Sequence, residues 1–279
     1  MINTTVILPA AGLGSRFAVG DKASASKIEF ELRHKPVFLR TIDLFHGRLD
    51  VGQIILAVHQ DKLDDFKFRW ADQLGFLGVK LIAGGKAERW QTVQIALDHV
   101  ADDATHIAIH DAARPCVPPE MIDRVFSAAE RLDAVVPGLR MSDTVKRAAE
   151  SENSGDRKAD PIDTIFSEEA SGPPIANRIT ETVPRHDLYR VQTPQVFERG
   201  LIASAYAKLS VSHNDGITDD ANVAERAGHE VFIVEGDPLN LKLTHPADAE
   251  LLEAVLGMRD EKDAKASAVK QLFGDDEDE

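Results

Sequence analysis

The sequence is poor in three features that define whole classes of protein. It has one cysteine, Cys116, in 279 residues, so no disulfide can form within the chain and we expect a reducing, cytoplasmic environment. It contains no apolar run near the ~20 residues of a membrane-spanning helix and no signal-peptide pattern, so we expect no membrane partner. Its 32 lysines and arginines face 47 aspartates and glutamates, and the formal net charge of −15 argues against nucleic acid as a partner.

Apolar residues make up 43% of the chain, and their pattern predicts an α/β fold. Short apolar runs typical of strands alternate with amphipathic stretches typical of helices. The pattern predicts strands at 6–8, 53–58, 79–82, 106–109, 134–136 and 230–234, and helices at 36–46, 61–74, 89–100, 118–131, 199–209, 219–227 and 246–256. This order favours a Rossmann-like, mostly parallel twisted sheet with helices on both faces, which binds ligands at the carboxyl ends of its strands.

The alternation is interrupted between residues 148 and 177. Residues 150–174 are rich in Ser, Glu, Asp, Gly and Pro, so we expect a flexible insertion and not a linker between two cores. The sequence therefore predicts a single domain over residues 1–260, with an excursion at about 139–190 that contains the insertion. Acidic residues end the chain, and we expect residues 261–279 to form a charged, disordered tail.

A loop of small residues directly after the first predicted strand, from Pro9 to Arg16, is the first candidate binding site. Small residues let a phosphate chain approach the backbone, and successive N–H groups can form an anion nest. Arg16, and Lys27 further along the chain, add positive charge. The dinucleotide-binding fingerprint does not fit, because its third glycine would fall at Phe17, and no Gly-Lys-Ser/Thr phosphate loop follows. Taken alone, the loop is also compatible with a tight turn between a strand and a helix.

Two further loops follow predicted strands. The segment His110 to Pro115 places Asp111 at the carboxyl end of a strand, which suits magnesium and ribose hydroxyls, and its alanines leave room for a nucleoside. The segment Gly84 to Val93 has glycines that expose backbone groups able to read a base edge, and Thr92 supplies a hydroxyl. Each loop alone fits a structural interpretation about equally well: an aspartate cap paired with an arginine, or a glycine turn before a helix.

The order and spacing of these motifs resemble those of the 2-C-methyl-D-erythritol 4-phosphate cytidylyltransferase family, from about residue 5 to about residue 256. The family's Pro-Ala-Ala-Gly-x-Gly-x-Arg occurs at Pro9 to Arg16, and its Asp-Ala-Ala-Arg-Pro at Asp111 to Pro115. Its Thr-Pro-Gln, Thr-Asp-Asp/Glu and Asn-x-Lys occur at Thr193 to Gln195, Thr218 to Asp220 and Asn240 to Lys242. The resemblance implies a nucleotide-diphospho-sugar transferase-like fold with a projecting β-arm. It also implies transfer of a cytidylyl group from CTP to 2-C-methyl-D-erythritol 4-phosphate, with release of pyrophosphate, in non-mevalonate isoprenoid precursor synthesis.

The resemblance implies a role for each matching residue. The catalytic residues, which would hold the triphosphate and stabilise charge at the α-phosphorus, would be Arg16, Lys27 and Lys242. The nucleotide would contact Pro9, Ala10, Ala11, Gly12, Gly14, Gly85, Thr92, Asp111 and Ala112. Of these, Ala10, Ala11 and Gly85 through their backbones and Thr92 through its hydroxyl would select cytosine. The polyol phosphate would contact Asp111, Arg114, Thr144, Arg185, Thr193, Thr218 and Lys242. Asp111 would also bind Mg²⁺ or another divalent cation, and the arm would join two subunits into a homodimer.

The chain departs from the family pattern in three places. The lysine motif, usually Pro-Lys-Gln-Tyr, is replaced here by Ser26 to Phe30, the glycine loop is one residue longer, with Thr92 in place of the usual serine, and the insertion is longer. Two alternatives stay open from the sequence: a sister cytidylyltransferase that uses ribitol 5-phosphate, and a nucleotide-binding protein with degraded catalysis. The presence of Arg16, Lys27, Asp111 and Lys242 argues against the second.

Overall fold

The computed structural model describes residues 2–12, 17, 27–150, 177–209 and 216–273. Its strands, in chain order, are β1 (Thr4–Ala10), β2 (Glu31–Leu32), β3 (Lys35–Pro36), β4 (Val51–Val58), β5 (Val79–Ala83), β6 (His106–Ile109), β7 (Ala134–Arg140), β8 (Val145–Glu150), β9 (Asn177–Val183), β10 (Tyr189–Val191), β11 (Gln195–Glu198) and β12 (Phe232–Glu235). Its helices are α1 (Val37–Asp43), α2 (Leu63–Phe76), α3 (Arg89–Leu97), α4 (Pro119–Ala129), α5 (Arg199–Ala207), α6 (Asp220–Arg226) and α7 (Ala247–Phe273), with 3-10 turns at Lys27–Glu29 and Gln60–Lys62.

The central sheet is mixed but mostly parallel, as the alternating pattern predicts. Its strands lie in the order β7-β11-β6-β1-β4-β5, and β12 pairs with the outer side of β7. The pairs β1–β4, β1–β6, β4–β5 and β7–β12 are parallel. Strand β11 runs antiparallel between β6 and β7, and the sequence pattern did not predict it. Because β11 begins where β6 ends, with Gln195 opposite Ile109, the residues just before β11 reach the carboxyl edge of the sheet.

Helices cover both faces of the sheet because side chains alternate along each strand. On one face, Val6 and Leu8 of β1 pack with Phe38 of α1, Phe66 of α2 and Val125 of α4. On the other face, the core contains Ile7, Ile55, Val93, Ile202 and Val223, from β1, β4, α3, α5 and α6. Among the described helices, none combines the length and the hydropathy of a transmembrane span.

The chain divides into two compact units, Met1–Leu139 with Val191–Glu279, and Arg140–Arg190. The second unit contains the antiparallel hairpin of β8 and β9, in which Val145 pairs with Val183. Its bounds lie close to the range 139–190 that the sequence predicts for the arm and insertion. The predicted flexible insertion at 150–174 lies outside the described residues, except for its first residue, Glu150.

The C-terminal helix is longer than predicted. The pattern places its end near residue 256 and a disordered tail from residue 261, but α7 runs to Phe273, so this prediction is wrong for residues 261–273. Beyond Leu256 the apolar period stops, yet the residues are mainly good helix formers without proline. The helix is also held from its polar side, since Arg259 donates to the Val117 carbonyl at 3.2 Å and Asp260 pairs with Arg33 at 3.0 Å. Residues 274–279 lie outside the described range.

Candidate active site

A pocket opens where β1, β5 and β6 end, which is the edge of a parallel sheet where ligands bind. Three chain segments meet there: the end of β1, the glycine loop between β5 and α3, and the loop after β6. The pocket is lined by Pro9, Ala10, Ala11, Gly12, Lys27, Ile28, Gly85, Ala87, Glu88, Arg89, Thr92, Asp111, Ala112, Ala113 and Lys242. The predicted nucleotide contacts at Pro9 to Gly12, Gly85, Thr92, Asp111 and Ala112 therefore surround one cavity.

The glycine loop lies too close to α3 for side chains. A Cβ atom on Gly84 would stand 2.7 Å from the Thr92 Cγ2 atom, and one on Gly85 would stand 2.7 Å from the Gln91 Cβ atom. The Thr92 Oγ1 atom accepts the Gly85 N–H at 3.0 Å, which ties the loop to the first turn of the helix. Among the described residues no group accepts the Thr92 hydroxyl proton, and Thr92 and Gly85 lie on the wall of the pocket.

The Asp111 carboxylate is the electrostatic centre of the site. Arg89 Nε lies 3.2 Å from Asp111 Oδ1, while Arg114 Nε and Lys242 Nζ lie 3.2 and 2.9 Å from Oδ2. Burial alone would raise the pKa of Asp111, but Arg89, Lys242 and Arg114 outweigh it and hold that pKa well below its usual value. Asp111 is therefore ionised, and a group of cations is concentrated at one end of the pocket.

A network of neutral hydrogen bonds fixes the loop after β6. Thr193 Oγ1 accepts the Asp111 N–H at 3.1 Å and lies 3.0 Å from His110 Nδ1, while His110 Nε2 lies 3.2 Å from the Arg114 carbonyl. Burial lowers the pKa of His110 to about 4, so the ring is neutral at pH 7. The contacts then define its tautomer: Thr193 donates to Nδ1, and Nε2–H donates to the Arg114 carbonyl. Asn240 Nδ2 donates to the Thr193 carbonyl at 2.8 Å, which attaches the Asn-x-Lys segment to the same network.

A second pocket adjoins the first. It is lined by Arg89, Asp111, Arg114, Val191, Gln192, Thr193, Gln195, Thr218, Asp219 and Lys242. The predicted acceptor contacts Asp111, Arg114, Thr193, Thr218 and Lys242 all lie on it. The two pockets share Arg89, Asp111 and Lys242, so a molecule in each would meet at this charged centre.

The altered motif around Lys27 is held in place by contacts with helix α2. Lys27 begins a 3-10 turn that ends at Glu29, whose largely buried carboxylate accepts Trp70 Nε1–H at 2.9 Å and pairs with Arg69 on α2. Trp70 also packs edge-on against Phe38, with ring centroids 5.1 Å apart. In this chain, therefore, α2 holds the turn that carries Lys27.

The described lining of these two pockets does not include four predicted site residues. Gly14 and Arg16 lie outside the described residues. Thr144 and Arg185 belong to the second unit, where Arg185 donates to the Ser142 carbonyl. Their predicted contacts with substrate stay predictions.

Sequence reasoning missed Arg89, Asp220 and the helix-capping role of Asp219. Arg89 Nη1 donates to the buried Asp220 Oδ2 at 2.7 Å, and Asp219 Oδ1 accepts the Asn222 N–H at 3.1 Å and so caps α6. The sequence did offer one signal, the arginine at the end of the glycine loop. A buried charge needs a partner of opposite sign, so Arg89 was a candidate to pair with a buried acid. Burial raises the pKa of the Cys116 thiol to about 11, so this thiol is protonated at pH 7.

An α/β sheet with a glycine loop and convergent cations at its carboxyl edge is typical of enzymes that bind phosphorylated nucleotides. The model of the 2-C-methyl-D-erythritol 4-phosphate cytidylyltransferase family matches residues 4–158 and 153–258. The chain belongs to this family. The two matched segments meet inside the stretch that the sequence predicts to be an insertion.

Individual relatives agree with the family model over most of their length. The chain is 35% identical over 257 residues to the 2-C-methyl-D-erythritol 4-phosphate cytidylyltransferase of Acidobacterium capsulatum, covering 91% of this chain and 97% of the relative. It is 34% identical over 265 residues to the protein of that description from Rhodopirellula baltica, covering 91% and 95%. The crystal structure of the cytidylyltransferase from Thermus thermophilus matches with a TM-score of 0.66 and 26% identity, covering 92% of this chain and 99% of that one.

Proposed function

We propose that this chain transfers a cytidylyl group from CTP to 2-C-methyl-D-erythritol 4-phosphate and releases pyrophosphate. The observation that carries the proposal is the pair of pockets that share Arg89, Asp111 and Lys242. A nucleotidyl donor in the first pocket and a phosphorylated acceptor in the second would bring their reacting phosphates together at this centre. Positioning of this kind supplies much of the barrier reduction in phosphoryl-type transfer.

The proposed reaction is a single in-line displacement. A phosphate oxygen of the acceptor attacks the α-phosphorus of CTP, a new P–O bond forms, and the bond to pyrophosphate breaks. The chain forms no covalent intermediate. Lys27, Lys242 and Arg16 stabilise the negative charge that develops on the phosphates, which is the catalytic task of fixed cations.

Magnesium fits the donor set of this site. No cluster of three or more His, Cys, Asp or Glu side chains suited to a metal occurs in the described part of the chain. Mg²⁺, however, is usually held by one or two carboxylates together with substrate phosphates, and Asp111 supplies an ionised carboxylate on the pocket wall. Bound there, the cation would neutralise phosphate charge, and Asp111 would orient it.

The first testable consequence concerns the nucleotide and the metal. We expect activity to require a divalent cation and to prefer CTP over UTP, because Gly85 and Thr92 present backbone and hydroxyl groups to the base. The measurement is pyrophosphate release with each of the four nucleoside triphosphates, with Mg²⁺ and with excess chelator. Equal rates with all four nucleotides, or full activity in chelator, would contradict the assignment of this pocket.

The arm supports a homodimer as the working form. In β9 the residues from Asn177 to Thr182 are exposed, and Ile179 is 60% exposed although it is apolar. A two-stranded hairpin has no core of its own and is marginally stable in water. Packing against a two-fold related copy would bury it, since a self-complementary surface closes a dimer. Thr144 and Arg185 would then contact the acceptor in the partner's pocket.

A further inference from the structure

Behind the two pockets lies a chain of buried polar groups that connects α5 and α6 to Asp111. The Tyr206 hydroxyl donates to Asp220 Oδ1 at 2.6 Å, and Arg89 Nη1 donates to Asp220 Oδ2 at 2.7 Å. Arg89 Nε completes the chain at Asp111 Oδ1. Asp220 is fully buried and Tyr206 is 1% exposed, and neither side chain lines either pocket.

Stability alone does not account for this arrangement. A buried ion pair contributes little net stability because desolvation of both charges offsets their attraction. Arg89 Nη2 is also buried without a hydrogen-bond partner in the described part of the chain, which adds a further desolvation penalty. The Arg89 guanidinium, which stays protonated in proteins, lies between the Asp220 and Asp111 carboxylates. The network's contribution is geometric: it determines where Arg89 Nε–H points.

The three cations on Asp111 differ in how firmly they are held. Arg89 is anchored by Asp220, and Arg114 by the Asn240 carbonyl at 2.9 Å. Lys242 has a side chain that is 38% exposed, and its ammonium meets Asp111 Oδ2 without a second anchor among the described residues. Lys242 can therefore leave the carboxylate for a phosphate oxygen, whereas the two arginines keep one donor on each carboxylate oxygen.

We propose that Arg89, held by Asp220 and Tyr206, is a positioning residue that keeps the Asp111 carboxylate oriented for the metal while Lys242 moves from Asp111 to the phosphates. This inference rests on the proposed function, since it assumes that Asp111 meets the metal and Lys242 the triphosphate. It assigns a role to Asp220 and Tyr206, which act only through Arg89.

The test uses Tyr206→Phe and Asp220→Asn in the full-length chain. Tyr206→Phe removes one hydroxyl and leaves both pocket walls unchanged. The matched control is Tyr189→Phe at the chain's other tyrosine, whose ring lies 5.0 Å from the Arg140 guanidinium. One readout is the Mg²⁺ concentration for half-maximal rate at saturating CTP and acceptor. The other readout needs no catalysis. The melting temperature is measured with CTP and without acceptor while Mg²⁺ is titrated, and the midpoint is the Mg²⁺ concentration that gives half of the total rise.

We expect both Mg²⁺ midpoints to rise in the two variants, by about 10- to 100-fold, as for other groups that orient a metal ligand. The KM for CTP at saturating Mg²⁺ should stay near the wild-type value, and Tyr189→Phe should match wild type throughout.

Folded variants with lower melting temperatures but wild-type Mg²⁺ midpoints would overturn the proposal and leave the network a purely structural role. If Asp220→Asn does not fold, Tyr206→Phe decides the question. Failure of the proposed function would appear separately, as absent turnover in wild type, while the melting readout would still report on Arg89.

Discussion

Lys242→Ala and Lys27→Ala should each lower kcat by about 100- to 1,000-fold, because one oriented charge at a developing anion contributes ~3–4 kcal/mol to the barrier. Both lysines line the first pocket, and Lys242 already lies 2.9 Å from Asp111. The fold should survive Lys242→Ala, since Arg89 and Arg114 remain on the Asp111 carboxylate. The measurement is steady-state pyrophosphate release together with the melting temperature of each variant.

The matched control for these variants is Lys67→Ala. Lys67 is an exposed lysine on α2, outside both pockets, and its removal should change neither kcat nor stability appreciably. A loss of tenfold or less in both Lys27→Ala and Lys242→Ala would mean that the phosphates bind elsewhere. A loss shared with Lys67→Ala would point to a general effect of net charge.

Mixing two inactive variants should restore activity if the arm completes the partner's site. In a heterodimer of Lys27→Ala and Arg185→Ala subunits, one site keeps Lys27 and receives Arg185 from the other chain. The second site has both defects. With random exchange, half of the dimers are mixed, so about a quarter of wild-type activity should return.

The control for this experiment is proof of subunit exchange, for example by co-purification of two differently tagged chains. Each variant alone must be inactive, and a mixture of Lys27→Ala with Lys242→Ala must stay inactive because both lysines line the same pocket of one chain. Proven exchange without recovery in the Lys27→Ala and Arg185→Ala mixture would show that Arg185 acts within its own chain. The proposed chemistry would be unaffected by that result.

Much of the fold and of the first pocket could be predicted from the sequence because the signals are local. Strand β6 begins at the start of its apolar run, and helix α3 begins directly after the glycine loop, as the sequence predicts. The glycine loop and the Asp111 loop each follow a strand, and all parallel strands of such a sheet present their carboxyl ends at one edge. Geometry alone therefore brings Gly85, Thr92 and Asp111 together.

The features that sequence reasoning missed depend on contacts between distant segments. Strand β11 has only four residues, and nothing in its local pattern shows that it inserts antiparallel between β6 and β7. That insertion is what brings Thr193 to Asp111. Arg89 and Asp220 are separated by 131 positions, and neither residue type reveals its partner from the sequence. The predicted end of α7 is too early because it rests on the spacing of apolar residues, which stops near Leu256. Beyond that point Arg259 and Asp260 hold the helix by polar contacts.

A side-by-side comparison of two acceptors tests whether this chain transfers a cytidylyl group from CTP to 2-C-methyl-D-erythritol 4-phosphate. The purified chain is incubated with CTP, Mg²⁺ and either 2-C-methyl-D-erythritol 4-phosphate or ribitol 5-phosphate, and both pyrophosphate and the polyol linked to cytidine through a diphosphate are quantified. We expect a much higher kcat/KM with 2-C-methyl-D-erythritol 4-phosphate. Higher efficiency with ribitol 5-phosphate would assign the chain to the sister activity, and binding of CTP without pyrophosphate release in the presence of either acceptor would contradict the assignment of an enzyme.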